Sequence, residues 1–182
     1  VSNSFDEDIT VCNLWVNKTT QYQSYIDCID NSKDGFRDLK DSYTMFAPSY
    51  KKSIVEKRGR FNVGEKFALA MFKYAHIKST TGSVKFLDDG TRKRSSIRTI
   101  EGTEFYGELK LTYDEIADLK DKAKTIIPPV NVKYSVNGDN VIRPDTYKSF
   151  TENLPTVVSD DEGNLVRSSR NTNIELFKTD KH

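Results

Sequence analysis

Between residues 9 and 177 the chain switches repeatedly between short runs of β-branched and aromatic residues and clusters of Gly, Asn, Asp and Pro. A chain punctuated in this way buries its apolar side chains chiefly as a sheet. Residues 9–16 (ITVCNLWV) and 22–29 (YQSYIDCI) predict two strands joined as a hairpin by a polar connection, and Asp30-Asn-Ser-Lys-Asp-Gly35 collects turn formers behind the second. Further strands are expected at 76–87, 95–100 and 105–111, at 130–136 and 140–142 on either side of Asn137-Gly138, and at 154–158, 165–167 and 173–177. Asn-Gly between alternating segments is the strongest short-range hairpin signal. Helical signals are fewer. Ala68, Met71, Phe72 and Ala75 recur at i, i+3, i+4 and i+7 and predict a helix over 65–76. Thr112-Tyr-Asp-Glu115 is a capping box for a helix that must end before Pro128-Pro129, and 36–43 reads as a short third helix. The expectation is an α+β fold in which a mostly antiparallel sheet has its apolar face covered by two or three helices.

Charge narrows the function classes. The 182 residues hold 28 Lys and Arg against 27 Asp and Glu, a formal net charge of +1, which removes any global electrostatic attraction to nucleic acid. No apolar run approaches membrane-spanning length and no basic-then-apolar leader opens the sequence, so a soluble, cytoplasmic chain with no membrane partner is expected. Cys12 and Cys28 lie in apolar strands and read as small buried hydrophobes. His76, at the end of the expected helix, reads as a capping or solvated residue, and Arg92-Lys93-Arg94 with Arg98 as a solvated basic loop rather than a DNA contact.

Four segments can carry chemistry. Gly59-Arg-Phe-Asn-Val-Gly64-Glu65-Lys66 runs straight into the expected helix, where free amides, the helix dipole and close backbone approach at glycine suit a phosphate. It is no Walker A loop, because Glu65 stands at the lysine position and Phe67 at the hydroxyl position. Asp30, at a strand end, can accept from an exocyclic amine such as that of adenine, though Asp-Asn before a glycine also suits a plain polar turn. Asn3 and Asp6 place an amide and a carboxylate where Mg²⁺ takes oxygen ligands. Gly102-Thr103 offers a hydroxyl just before a strand.

Taken in order, V-S-N-S-F-D, I-D-C-I-D-N-S-K-D-G, G-R-F-N-V-G-E-K-F-A-L-A and G-T-E-F resemble the motif series of the GHKL ATPases, which include gyrase-type topoisomerases, MutL proteins, the ninety-kilodalton heat-shock chaperones and sensor histidine kinases. The resemblance covers roughly residues 1–111. It implies a two-layer α/β sandwich of Bergerat type, with ATP and Mg²⁺ as cofactors. Asn3 resembles the Mg²⁺ ligand, Asp6 the acidic residue closing the first motif, and Asp30 the adenine-binding aspartate. Gly35 resembles the second motif's glycine, while Gly59, Val63 and Gly64 resemble the phosphate-binding hinge. Lys66 would add charge at the terminal phosphate and Thr103 the fourth motif's hydroxyl. Three departures stand out: Ser32 replaces the first glycine of the second motif, with one extra residue before Gly35; Asn62 replaces a glycine; and Glu7 replaces the first motif's final alanine.

The resemblance further implies residues 1–128 as the nucleotide-binding domain and 129–182 as a β-rich extension of its sheet or the start of a transducer-like region. Binding and hydrolysis would act as a conformational switch, with the basic segment 44–62 as lid and closure into a homodimer acting on DNA or a protein client. The family's catalytic glutamate falls upstream of Val1, so no catalytic residue is assigned here, and a non-hydrolysing nucleotide- or peptide-binding module is the alternative.

Overall fold

A computed structural model describes residues 1, 4–44, 68–160, 162 and 164–178. Its strands are β1 (Val11–Thr20), β2 (Gln23–Asp30), β3 (Tyr74–Ser79), β4 (Gly82–Leu87), β5 (Arg92–Ser95), β6 (Thr103–Leu109), β7 (Lys133–Val136), β8 (Asp139–Val141), β9 (Thr146–Ser159) and β10 (Leu165–Phe177). Among the described residues they are accompanied by the helix α1 (Tyr113–Lys124) and the 3₁₀ turns Ser4–Asp6 and Leu39–Ser42. Eight strands form one sheet in the order β5-β4-β3-β6-β2-β1-β7-β8, antiparallel except for the parallel pair β1–β7, and β9 and β10 form a ribbon of their own.

The fold is therefore dominated by its sheet, and the two-layer α/β sandwich expected from the sequence is corrected. The main reason lies at residues 65–76. Residues 65–67 are outside the described part, and the helical turn at 68–69 gives way to β3 at Tyr74. Ala75 is wholly buried while Met71 is 71% exposed, so these residues do not share one apolar helical face. The period-two alternation of Tyr74, His76 and Lys78 against Ala75, Ile77 and Ser79 wins over the 3.6-residue spacing that Ala75 also satisfies. Likewise, 36–43 contains only the 3₁₀ turn Leu39–Ser42, and the strand expected at 95–100 is instead β5, which ends at Ser95. The Arg92-Lys93-Arg94 cluster lies on that edge strand, where exposed charges deter pairing with another chain.

Alternation gives the sheet two unlike faces. On one, Cys12, Leu14, Val16, Tyr134 and Val136 are buried under Ile116 and Ala123 of α1. Further along the same face Ile77, Val84 and Leu39 pack with Phe36, Phe86 and Phe105, and Phe72 lies edge-on to Phe105 at 5.3 Å between centroids. The Phe72 ring passes so close to Gly107 that a Cβ there would sit 2.4 Å from it. Helix α1 starts at the capping box: Thr112 Oγ1 accepts from Glu115 N–H, and Glu115 Oε2 accepts from Thr112 N–H at 2.7 Å. At its other end Tyr134 Oη donates to the Ala123 carbonyl at 3.2 Å, which also accepts from Ile126 N–H.

The Asn137-Gly138 turn between β7 and β8 does more than reverse the chain. Asn137 adopts φ 54° and Gly138 φ 87°, as a type I′ turn requires. The Asn137 side chain accepts from Val16 N–H at 3.1 Å and donates to Asn17 Oδ1 at 2.7 Å, clamping the turn to the end of β1. Asn137→Ala is expected to lower stability in urea unfolding by about 2 kcal/mol, through lost hydrogen bonds and left-handed strain together. Asn137→Gly, which removes the strain and keeps only the bond loss, should cost about half as much.

Candidate functional site

The sequence-distant segments that carry candidate residues meet at one corner of the sheet, where β2 ends, β6 begins and β3 ends. Asp30 pairs with Thr103 across β2–β6, and Thr103 pairs with Ser79 across β6–β3. Asp30 is the organiser. Its Oδ1 accepts from Ser32 N–H at 3.1 Å, forming an Asx turn, and from Thr103 N–H at 3.1 Å, 73 residues further along the chain. Both bonds use one oxygen, so Oδ2 keeps its acceptor capacity. The next residue, Asn31, accepts from Thr10 and Val11 N–H at 3.0 and 2.9 Å, fixing the start of β1 to the same turn.

The turn itself is packed to backbone contact. Gly102 N–H donates to the Ser32 carbonyl at 2.8 Å. Ser79 Oγ accepts from Phe36 N–H at 2.6 Å, Thr80 Oγ1 donates to the Asp34 carbonyl, and Thr81 Oγ1 donates to the Phe36 carbonyl at 2.7 Å. Gly35 has φ +56°, and a Cβ there would lie 2.3 Å from Ser79 Oγ; at Gly102, φ +74°, it would lie 1.8 Å from the Asp30 carbonyl oxygen. Only glycine fits either position. The corner thus holds a carboxylate oxygen with spare acceptor capacity beside the Thr103 hydroxyl, on a turn whose glycines are packed against Ser79 and the Asp30 carbonyl.

Of the residues singled out from the sequence, the structure brings Asp30, Gly35 and Thr103 together here. Asp6 sits in the first 3₁₀ turn, whose Phe5 packs edge-on against Tyr134 at 5.5 Å in the α1-covered half of the core. Asn3, Gly59, Val63, Gly64 and Lys66 lie outside the described residues. Among those described, no group of three or more His, Cys, Asp or Glu is arranged to hold a metal ion, and no helix is long and apolar enough to cross a membrane. Cys12 and Cys28 are free thiols with their sulfurs 4.0 Å apart, one buried and one partly buried.

Sequence reading passed over Asn31 and Ser79, whose side chains hold the turn. It also misread His76, which is a strand residue with Nε2 3.0 Å from Glu104 Oε1 and its ring stacked on Tyr106 at 5.2 Å. The alternation of Tyr74, His76 and Lys78 opposite Glu104, Tyr106 and Glu108 was the signal for a polar sheet face.

No protein-family model and no curated protein matches the chain. Among solved structures, one described as the N-terminal domain of a DNA repair protein superposes with a TM-score of 0.43 at 14% identity, over 84% of this chain and 58% of that one. So loose a likeness supports no functional conclusion.

Two glycines with similar dihedrals test the corner's packing. Gly90, φ +79°, has nothing within 4 Å of the place a Cβ would occupy, so Gly90→Ala should cost only about 1 kcal/mol of backbone strain. Gly102→Ala adds a collision with the Asp30 carbonyl and is expected to cost about 3 kcal/mol or more in denaturant unfolding. Equal losses would contradict the packing described.

Proposed function

We propose that the chain binds a purine nucleoside triphosphate with Mg²⁺ at this corner, as a nucleotide-binding part of a GHKL-type ATPase, and that ATP is the ligand. The observation that carries the proposal is the placement of Asp30. Its carboxylate is fixed by two backbone donors through Oδ1, and the opposite oxygen is left to accept from an exocyclic amine. The convergence of Asp30 and Gly35 with Gly102-Thr103 also supports the reading, because the resemblance named those positions from two separate stretches of sequence.

The residues divide the work by chemistry. Asp30 selects an amine over a carbonyl on the purine edge. Gly35 and Gly102 let the turn close against Ser79 and the Asp30 carbonyl, which fixes the carboxylate, and Thr103 supplies a hydroxyl. Mg²⁺, when bound with the triphosphate, would neutralise phosphate charge and take oxygen ligands, with Asn3 as the proposed protein ligand. The anion-binding role of Gly59, Val63, Gly64 and Lys66, and that of 44–62 as a basic lid, rest on sequence alone. None of the described residues is assigned to activate water, so the proposal for this chain is binding and closure. Hydrolysis, homodimer formation and action on DNA or a protein client in the cytoplasm are extensions drawn from the resemblance.

Asp30→Asn separates recognition from folding. The amide keeps an oxygen for Ser32 and Thr103 N–H but sets an N–H₂ group against the purine amine, donor against donor. In calorimetry with a non-hydrolysable ATP analogue and Mg²⁺, the parent is expected to bind and Asp30→Asn to lose about ten- to a hundredfold in affinity, with its unfolding midpoint little changed. An inosine analogue, which carries a carbonyl in place of the amine, should show the reverse preference. Equal heats for both proteins with the ATP analogue would overturn the adenine assignment.

A further inference from the structure

A strand at the rim of a sheet presents unpaired N–H and C=O groups, and a folded chain either protects such an edge or uses it. Among the described strands the edges are β5 and β8 of the large sheet and β9 and β10 of the ribbon. β5 is four residues long and carries Arg92, Lys93 and Arg94, and β8 is three residues long. In β9, Pro155 pairs with Ser169. Proline has no N–H to give the ladder, so its nitrogen faces away from β10 and interrupts the outer edge of β9 in mid-strand. β10 has neither device: it runs for 13 residues, Leu165–Phe177, without a proline.

The ribbon is also short of support. Two strands alone are marginal in water, and none of the described side chains of β9 and β10 is buried. Arg143 ties the base of the ribbon to the rest of the chain, donating to the Pro128 carbonyl and to Glu175, both at 2.6 Å, with its guanidinium 5.0 Å from the centre of the Phe177 ring. Beyond that base Leu154, Val157, Leu165 and Val166 stay exposed.

The backbone pattern of β10 says what its free edge offers. In an antiparallel pair, residues that do not exchange hydrogen bonds with each other turn their N–H and C=O groups outward. Pro155 and Ser169 form such a pair, so Ser169 and, by alternation, Arg167, Asn171, Asn173 and Glu175 present their backbone groups on the outer edge of β10. Arg167 and Glu175 stand symmetrically about Asn171, as do Ser169 and Asn173, and Val166 and Leu176.

We infer that β10 pairs antiparallel with β10 of a second copy of this chain about a twofold axis at Asn171, joining two ribbons into one four-stranded sheet in the order β9-β10-β10-β9. The strand is complementary to itself in that register. Each Arg167 falls opposite Glu175 of the other copy and each Val166 opposite Leu176, so opposite charges and apolar side chains meet twice across the axis. An axis one residue earlier would set Arg170 against its own copy, a like-charge pair.

Sedimentation equilibrium of the 182-residue chain without nucleotide is expected to give twice the 20.8 kDa monomer mass. Arg167→Glu sets like charges opposite at two places and should weaken association about tenfold or more, while Arg167→Lys should keep it. Asn171→Cys tests the register. Directly opposite residues that exchange hydrogen bonds lie about 5.5 Å apart between Cα atoms, within disulfide reach, so diamide should link two copies. Asn153→Cys, three strand spacings or about 14 Å from its counterpart, should not link, and the parent controls for the native thiols Cys12 and Cys28. Matching circular dichroism spectra would establish that the variants are folded. A monomer mass in the parent, which would leave the edge to a strand of a different protein, would overturn the inference. So would unchanged association in a folded Arg167→Glu protein, or equal linking by Asn153→Cys and Asn171→Cys. All three readouts are taken without nucleotide, so failure of the Asp30 site and failure of this interface are distinguishable.

Discussion

One carboxylate, that of Asp30, ties together the end of β2, the turn that follows it and the start of β6. By accepting from its own turn and from the first residue of β6, it fixes where β2 ends, where β6 begins, and how the 31–36 turn sits between them. The turn then anchors outward, through Asn31 to β1 and through Ser79 and Thr80 to β3. Strands separated by about seventy residues thus share a corner whose geometry is set by backbone donors on a single oxygen, the most direct way to combine fixed orientation with a free acceptor.

The sheet around that corner is organised by alternation. One set of positions buries Cys12, Leu14, Val16, Ile77 and Val84, while Trp15, Asp27, Tyr106 and His76 stand on the opposite face. A slip of one residue in any of these strands would exchange the two sets. The two faces are therefore alternatives written into the same residues. One receives α1 and the apolar clusters, and the other is left to polar, aromatic chemistry. The Asn137 clamp keeps β7 in register with β1 across the parallel junction, where no hairpin does so.

Much of this was legible where the local signal had one meaning. The β1–β2 hairpin, the Thr112 capping box and the Asn137-Gly138 turn each depend on residue types with few other uses, and all three appear as read. The helix expected over 65–76 does not continue past the helical turn at 68–69, because Met71, Phe72 and Ala75 satisfy a helical period by spacing alone, whereas the partner strands that make 74–79 a strand, β4 and β6, lie elsewhere in the sequence. The same cause hid Ser79 and Asn31: a lone serine or asparagine looks ordinary until the backbone N–H groups it satisfies come from other strands. Asp30, Gly35 and Thr103 were singled out by their resemblance to a motif series, and the strand pairing and the close approach of Gly35 to Gly102 place them near one another. Asn3, Gly59, Val63, Gly64 and Lys66, drawn from that series too, lie outside the described residues.

The proposed nucleotide site requires that the Asp30 oxygen left without a backbone donor face a purine amine. A crystal structure of this chain grown with a non-hydrolysable ATP analogue and Mg²⁺ tests it most directly. The adenine amino nitrogen is expected within hydrogen-bonding distance of Asp30 Oδ2, with the ring edge beside Thr103. An adenine ring seated in another cavity, or an Asp30 carboxylate turned away from the base, would contradict it.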